Sequence, residues 1–258
     1  MTIPLETVRA LEELAFAAWP ALETVQAHGW LLRFADGYTK RANSVNALAP
    51  TVPVADILAV AAPLYARRGL PVIFRLSPLA GPEADPALAA LGFETLDETL
   101  VMTAPLAADA RDDAAVAIAR HPEAAWAAGF AAANRVPPER QAIHDRMLAA
   151  IRPAAAFASL GVDGRSVAWG LAVAEHGKVG LFDIVTAPEA RRQGAARRLV
   201  EGLLAWGRGQ GAATAYLQVV ATNAPAIALY RSLGFVEAYS YHYRVENRSR
   251  QWAGRRRL

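Results

Sequence analysis

The chain has 258 residues, 54% of them hydrophobic and 20% charged, with a net charge of +3 and no cysteine. It is long enough for one large or two smaller packed domains, and it holds no run of about 20 uncharged apolar residues of the kind that crosses a membrane. Without cysteine, disulfides, thiolate zinc sites and a cysteinyl acyl-enzyme are excluded, and a reducing, cytoplasmic setting is the default.

Residues 1–22, MTIPLETVRALEELAFAAWPAL, are predicted as an amphipathic helix rather than a secretory leader, because Glu6, Glu12 and Glu13 interrupt the apolar stretch. A hairpin is expected over 29–45, turning at Asp36-Gly37. Its polar side chains either line a substrate cleft or form an exposed antiparallel face. Next come a helix from 57 that stops at Gly69, a short strand, and a second helix that closes on LGF at 91–93 before a strand to about 105. A boundary is placed in the polar stretch 104–112, dividing residues 1–104 from 105–246. Beyond it the pattern predicts a strand at 114–119, helices near 123–133 and 139–151, a strand at 155–162, and a hairpin over 166–187 that turns at His176-Gly177. A helix stopping at Gly211, a strand, a helix closing on LGF at 233–235 and a final strand complete the second half. The remainder, 247–258, ends in GRRRL and raises the pI to 9.4; it reads as a solvated basic tail rather than a nucleic-acid site.

Gly69 and Gly211, like Leu91 and Leu233, are 142 residues apart. Two landmarks at one spacing argue for an internal duplication of a helix-strand-helix-strand unit. The fold class is therefore α/β with a mixed sheet.

The chemistry concentrates in APEARRQGAARRLVEGLL, residues 187–204. A strand runs into a turn and then into a helix whose start holds Arg191, Arg192, Gly194, Ala196, Arg197 and Arg198. A helix start leaves backbone N–H groups unpaired and carries partial positive charge. Small residues there let a phosphate reach those amides, and cations in the first turn, which the dipole disfavours, call for a compensating anion.

With TNAPAIALYRSLGF at 222–235, this stretch resembles the acetyl-CoA-binding core of the GCN5-related N-acetyltransferases (GNAT). Their pyrophosphate loop, Q/R-x-x-G-x-G/A, is met by Arg191, Gly194 and Ala196. The resemblance is strongest to the branch that acetylates N-terminal alanines of ribosomal proteins. It implies a tandem GNAT fold with a degenerate N-terminal half, acetyl-CoA as co-substrate, no metal, and direct transfer to a primary amine or peptide N-terminus. The backbone of Ile184, Val185 and Thr186 would hold the acetyl carbonyl and the pantetheine arm. Amides of Arg191, Arg192, Gln193, Gly194, Ala195, Ala196 and Arg197 would hold the pyrophosphate. Asn223 would bond the pantetheine chain, a role compatible with its other reading as a helix cap, and Tyr230 would protonate the leaving thiolate. Nucleic acid and membrane are not implied as partners, and a homodimer is left open.

The sequence departs from that branch at one position. Gln218 stands where a glutamate is proposed as general base, and glutamine accepts no proton. Asp183, Glu175, His176 and His144 are the candidates to replace it, each with a structural reading of its own. Gln218 also admits a different class of function, an acyl-CoA-binding or sensing module without catalysis. In the N-terminal half the segment matching the loop is APTVPV, 49–54, with two prolines that have no amide to offer, and Leu88 matches Tyr230.

Overall fold

A computed structural model describes residues 3–106 and 113–246. The basic tail 247–258 and most of the boundary stretch 104–112 lie outside the described residues. The chain divides into two compact units. Among the described residues, one contains 3–101, 220–222 and 238–246; the other contains 102–106, 113–219 and 223–237.

In the first unit the elements are α1 (Leu5–Ala18), β1 (Glu23–Ala27), β2 (Trp30–Phe34), β3 (Val45–Ala47), α2 (Val54–Ala66), β4 (Ile73–Leu76), α3 (Ala84–Ala90) and the start of β5 (Phe93–Pro105). Residues 238–246 of the final strand, β11 (Val236–Glu246), belong here as well. The strand order is β1-β2-β3-β4-β11-β5, with β11 antiparallel to β4 through pairs such as Tyr243↔Arg75. The sequence reading kept 105–246 together. This pairing goes with residues 238–246 belonging to the first unit.

Val8, Leu11, Ala15 and Ala18 make the buried stripe of α1, spaced as a 3.6-residue period requires. Glu12 breaks that stripe and is fully buried. Its carboxylate accepts from both terminal nitrogens of buried Arg75 on β4 and, at 2.6 Å, from the Tyr239 hydroxyl on β11. The Arg75 guanidinium lies 3.5 Å from the centre of the Tyr241 ring. A charge that deep is tolerable only because its partners come with it.

The turn of the first hairpin differs from expectation. β1 and β2 pair through Ala27↔Trp30, and the tight turn is His28-Gly29, both with positive φ as a type I′ turn demands. Asp36-Gly37 instead opens a longer loop to β3. Nor is this an exposed antiparallel face: all five residues of β2 are buried. The polar side chains satisfy one another or the backbone. Asn43 accepts from the amides of Ala35 and Gly37 and donates to the carbonyls of Tyr38 and Thr39. Arg33 donates to Phe16 O and Trp19 O at the C-terminal end of α1, where the helix dipole is negative.

The second unit contains the rest of β5, then β6 (Val116–Ala119), α4 (Ala124–Asn134), α5 (Pro138–Ala149), β7 (Ala154–Val162), β8 (Arg165–Glu175), β9 (Lys178–Thr186), α6 (Ala195–Gly209), β10 (Thr214–Val220) and α7 (Ala224–Ser232). Its strand order is β5-β10-β9-β8-β7-β6. β6 to β9 are antiparallel in turn, joined at Asp163-Gly164 and His176-Gly177 by tight turns of positive φ, while β10 runs parallel to β9 after the α6 crossover. Trp126 of α4 anchors its helix by donating to Ala158 O at 2.9 Å.

Candidate active site

The site is built where β9 stops behaving as a regular strand. Its ladder with β10 runs from Lys178↔Thr214 to Leu181↔Leu217 and ends there, so Phe182–Thr186 and Gln218–Val219 part from one another. On its other side β9 pairs Phe182 with Leu171 and Val185 with Trp169, leaving Asp183 and Ile184 opposite Gly170 alone. This is a β-bulge, and Asp183 adopts φ +51° within it. Gly170 leaves room for a neighbour: a Cβ there would lie 2.6 Å from Ile184 Cδ1, so that side chain would have to shift. The bulge and the parting strands together leave Ile184, Val185 and Thr186 outside the β9–β10 ladder.

After Thr186 a single 3-10 turn, Pro188–Ala190, leads to the helix start. Arg191 is extended, Arg192 has φ +60° and Gly194 φ +83°, so left-handed residues interrupt the chain twice before α6. Such alternation turns successive N–H groups toward one side, a concavity suited to anions. The first helical hydrogen bond runs from Arg198 N to Gly194 O, which leaves the amides of Ala195, Ala196 and Arg197 without helical acceptors. Nothing lies within 4 Å of where a Gly194 side chain would start, and the first turn of α6 has no acidic residue. Room, amides and dipole therefore fit a pyrophosphate.

The arginine side chains are used differently. Arg198 forms a two-pronged ion pair with Asp113, at 2.6 and 3.0 Å, which holds the Asp113 carboxyl below the usual carboxylate range. Arg197 reaches Glu201 at 3.2 Å and the Ser232 hydroxyl at 2.5 Å. Arg191 Nε donates to Thr186 O at 3.2 Å, and Gln193 donates to Glu189 O at 2.9 Å, so both stiffen the loop. The charge compensation of Arg197 and Arg198 is thus internal, and the backbone amides together with exposed Arg192 remain for a ligand.

Asn223 caps α7, its Oδ1 accepting from Ala226 N at 3.3 Å. Tyr230 packs edge-on against Phe235 with ring centres 5.8 Å apart. Burial pushes its hydroxyl up to about 12. Among the described residues no hydrogen bond joins Tyr230 to Ile184–Thr186.

Of the residues considered in place of Gln218, Glu175 and His176 lie at the β8–β9 turn, the far end of β9 from Thr186 and so roughly 25 Å away at 3.3 Å per strand residue. His144 and Asp183 are brought together: His144 Nε2 is 2.7 Å from Asp183 Oδ2, with side chains 2% and 10% exposed. Thirty-nine residues separate them in sequence, and no spacing rule links a helix histidine to a strand bulge.

The family described as probable histone acetyltransferase Rv0428c C-terminal matches residues 6–244. An uncharacterized N-acetyltransferase, YobR of Bacillus subtilis, is 32% identical over 247 residues, 94% of this chain and all of that protein. A ribosomal protein bS18 alanine N-acetyltransferase of Escherichia coli is 42% identical over 76 residues, 30% of this chain and 51% of that enzyme. Among solved structures, a GCN5-related N-acetyltransferase from Kribbella flavida shares the fold at TM-score 0.66 with 18% identity, over 96% of this chain and 97% of that one. With a match along nearly its whole length, the chain belongs to this Rv0428c-type branch of the GCN5-related N-acetyltransferase family.

Proposed function

We propose that the second unit carries one acetyl-CoA-dependent N-acetyltransferase site and that the N-terminal half is a degenerate copy without one. The observation behind this reading is the parting of β9 from β10 beyond Leu181↔Leu217, directly ahead of the amide-rich start of α6. Backbone groups of Ile184, Val185 and Thr186 accept and donate to the acetyl carbonyl and the pantetheine amides. The amides from Arg191 to Arg197 cradle the pyrophosphate, and Asn223 reaches the pantetheine chain from the head of α7. Transfer is direct, within a ternary complex, since the chain has no thiol to carry the acetyl group.

Tyr230 acts as general acid. With its hydroxyl held at about 12 it stays protonated through the neutral range and gives its proton to the sulfur as the C–S bond breaks. The acceptor is a primary amine, either a small molecule or a peptide N-terminus of the kind the Escherichia coli relative's name describes, and the setting is the cytoplasm.

Acetyl-CoA should raise the melting temperature by mass action. Millimolar acetyl-CoA giving no shift and no calorimetric heat would overturn the reading. Gln218 supports a second one, acyl-CoA binding without catalysis. A thiol-release screen of amino acids, polyamines, aminoglycosides and peptide N-termini separates the two, because binding without turnover favours the second.

A further inference from the structure

We propose that Asp183 accepts the proton of the incoming amine and that His144 positions it and shares that proton, an assignment that rests on the acetyltransferase reading above. A non-glycine residue at φ +51° costs about 1 kcal/mol and persists where its placement is needed. Here the bulge sends two consecutive side chains opposite ways. Ile184 meets the gap at Gly170 beside Leu199 and Leu203 of α6, while Asp183 meets His144 of α5. His144 is 2% exposed, and its ring centre lies 5.0 Å from that of Phe130 on α4.

The surroundings narrow the roles. α4 carries no titratable side chain; α5 adds Glu139, Arg140, Asp145 and Arg146; β8 adds Arg165 and Glu175; β9 adds Lys178 at its opposite end. Asp183 is the carboxylate that meets the imidazole. A tie between helix and strand needs no ionisable pair, and two apolar side chains would make one without the cost of desolvating both groups. The pair also stands where chemistry needs it. Asp183 follows the last β9–β10 ladder residue, Leu181, by two and directly precedes Ile184.

As the amine nitrogen bonds to the acetyl carbon, its departing proton moves to Asp183 Oδ1. His144 Nε2–H donates to Oδ2 and spreads the added charge. The C–S bond breaks with its electron pair on sulfur, which takes the Tyr230 proton. Solvent then removes one proton from the Asp183–His144 pair and returns one to Tyr230. Protonating the pair removes the acceptor, so kcat should carry an acid limb beyond the one that the substrate amine's own protonation puts on kcat/KM.

The test uses the full chain and the amine that turns over fastest in the screen. Asp183→Asn, which keeps size and hydrogen bonding, should lower kcat about 10²-fold with acetyl-CoA affinity by calorimetry within about 3-fold. His144→Gln keeps a donor toward Asp183 but holds no proton, so kcat at the optimum should fall less than about 10-fold while the acid limb moves or disappears. Both variants retaining the wild-type rate and acid limb would reduce the pair to a tie between α5 and β9. Loss of acetyl-CoA binding in Asp183→Asn would likewise overturn the proposal, assigning the residue to the cradle. Wild type that binds acetyl-CoA and acetylates no amine overturns the reading under Proposed function first, and this assignment with it.

Discussion

Residues 54–105 and 195–246 follow one plan and do different things with it. Each runs helix, strand, helix, strand. The helices stop at Gly69 and Gly211 with φ +64° and +82°, and at Gly92 and Gly234 with φ +84° and +86°, at a constant spacing of 142 residues. The entrances to the first helices differ. α6 starts from Gly194 in a left-handed conformation with open space around it, whereas α2 starts from Pro53 with Pro50 just before. In the first unit Pro50–Val54 line a cavity of about 410 Å³ together with Trp30, Pro82 and Ala87. Leu88, 142 residues before Tyr230, is fully buried. Glycine stops and apolar stripes carry the architecture that the two stretches share, and the loops before their first helices are where they differ.

The strongest way to break this comparison is to cut it in two. Residues 1–104 alone lack Tyr239, Tyr241 and Tyr243, leaving Glu12 and Arg75 without their partners from β11. The fragment should be insoluble or molten, and a dispersed amide NMR spectrum would contradict that. Next in size is Gly194→Val. A β-branched residue at φ +83° is strained and fills the approach to the amides, so acetyl-CoA affinity should fall more than about 100-fold by calorimetry. Wild type should bind one acetyl-CoA per chain, and a stoichiometry of two would end the distinction between the halves.

Tyr230→Phe should lower turnover about 10²-fold with acetyl-CoA affinity within a few-fold. Its counterpart, Leu88→Ala, should cost about 2–4 kcal/mol of stability in urea titration and leave the rate per folded molecule unchanged. An unchanged rate in Tyr230→Phe assigns that ring to packing.

The smallest effect concerns Asp85, whose carboxyl is pulled down to about 2, first by Arg244 and then by His242. A depressed carboxyl stabilises above its unfolded value near 4 and loses that contribution as pH falls toward 2. The side chain is 41% exposed, so Asp85→Asn should cost at most about 1 kcal/mol at pH 6, shrinking by pH 3. Urea midpoints at the two values check the sign.

Local signals account for most of what could be read in advance. The αL glycines, the His176-Gly177 turn and the apolar stripes are recognisable within a few residues of chain, and they placed the helices and nearly every strand. β1 was missed because ETVQA is short, mostly exposed and polar, so no alternation distinguishes it from a loop. The polar residues of β2 and β3 misled for the opposite reason. Arg33 and Asn46, like Asn43 in the loop between the two strands, are buried because partners are supplied, and a sequence does not display partners. The loop proposed for the pyrophosphate stood out as a motif, whereas Arg198–Asp113, 85 residues apart, and His144–Asp183 exist only after folding.

The return of β11 to the first unit also sets an order of events on the ribosome. Synthesis runs from the N-terminus at about 5–20 residues per second, and domains ordinarily fold as they emerge. Residues 3–101 lack one strand of their sheet at that stage, because Ala238–Glu246, which fill the place between β4 and β5, follow residue 237 in the chain. The second unit has nearly all its strands in hand earlier. The half made first is therefore the half completed last, and until then β4 presents an unpaired edge, the kind of surface that chaperones cover and neighbouring chains invade.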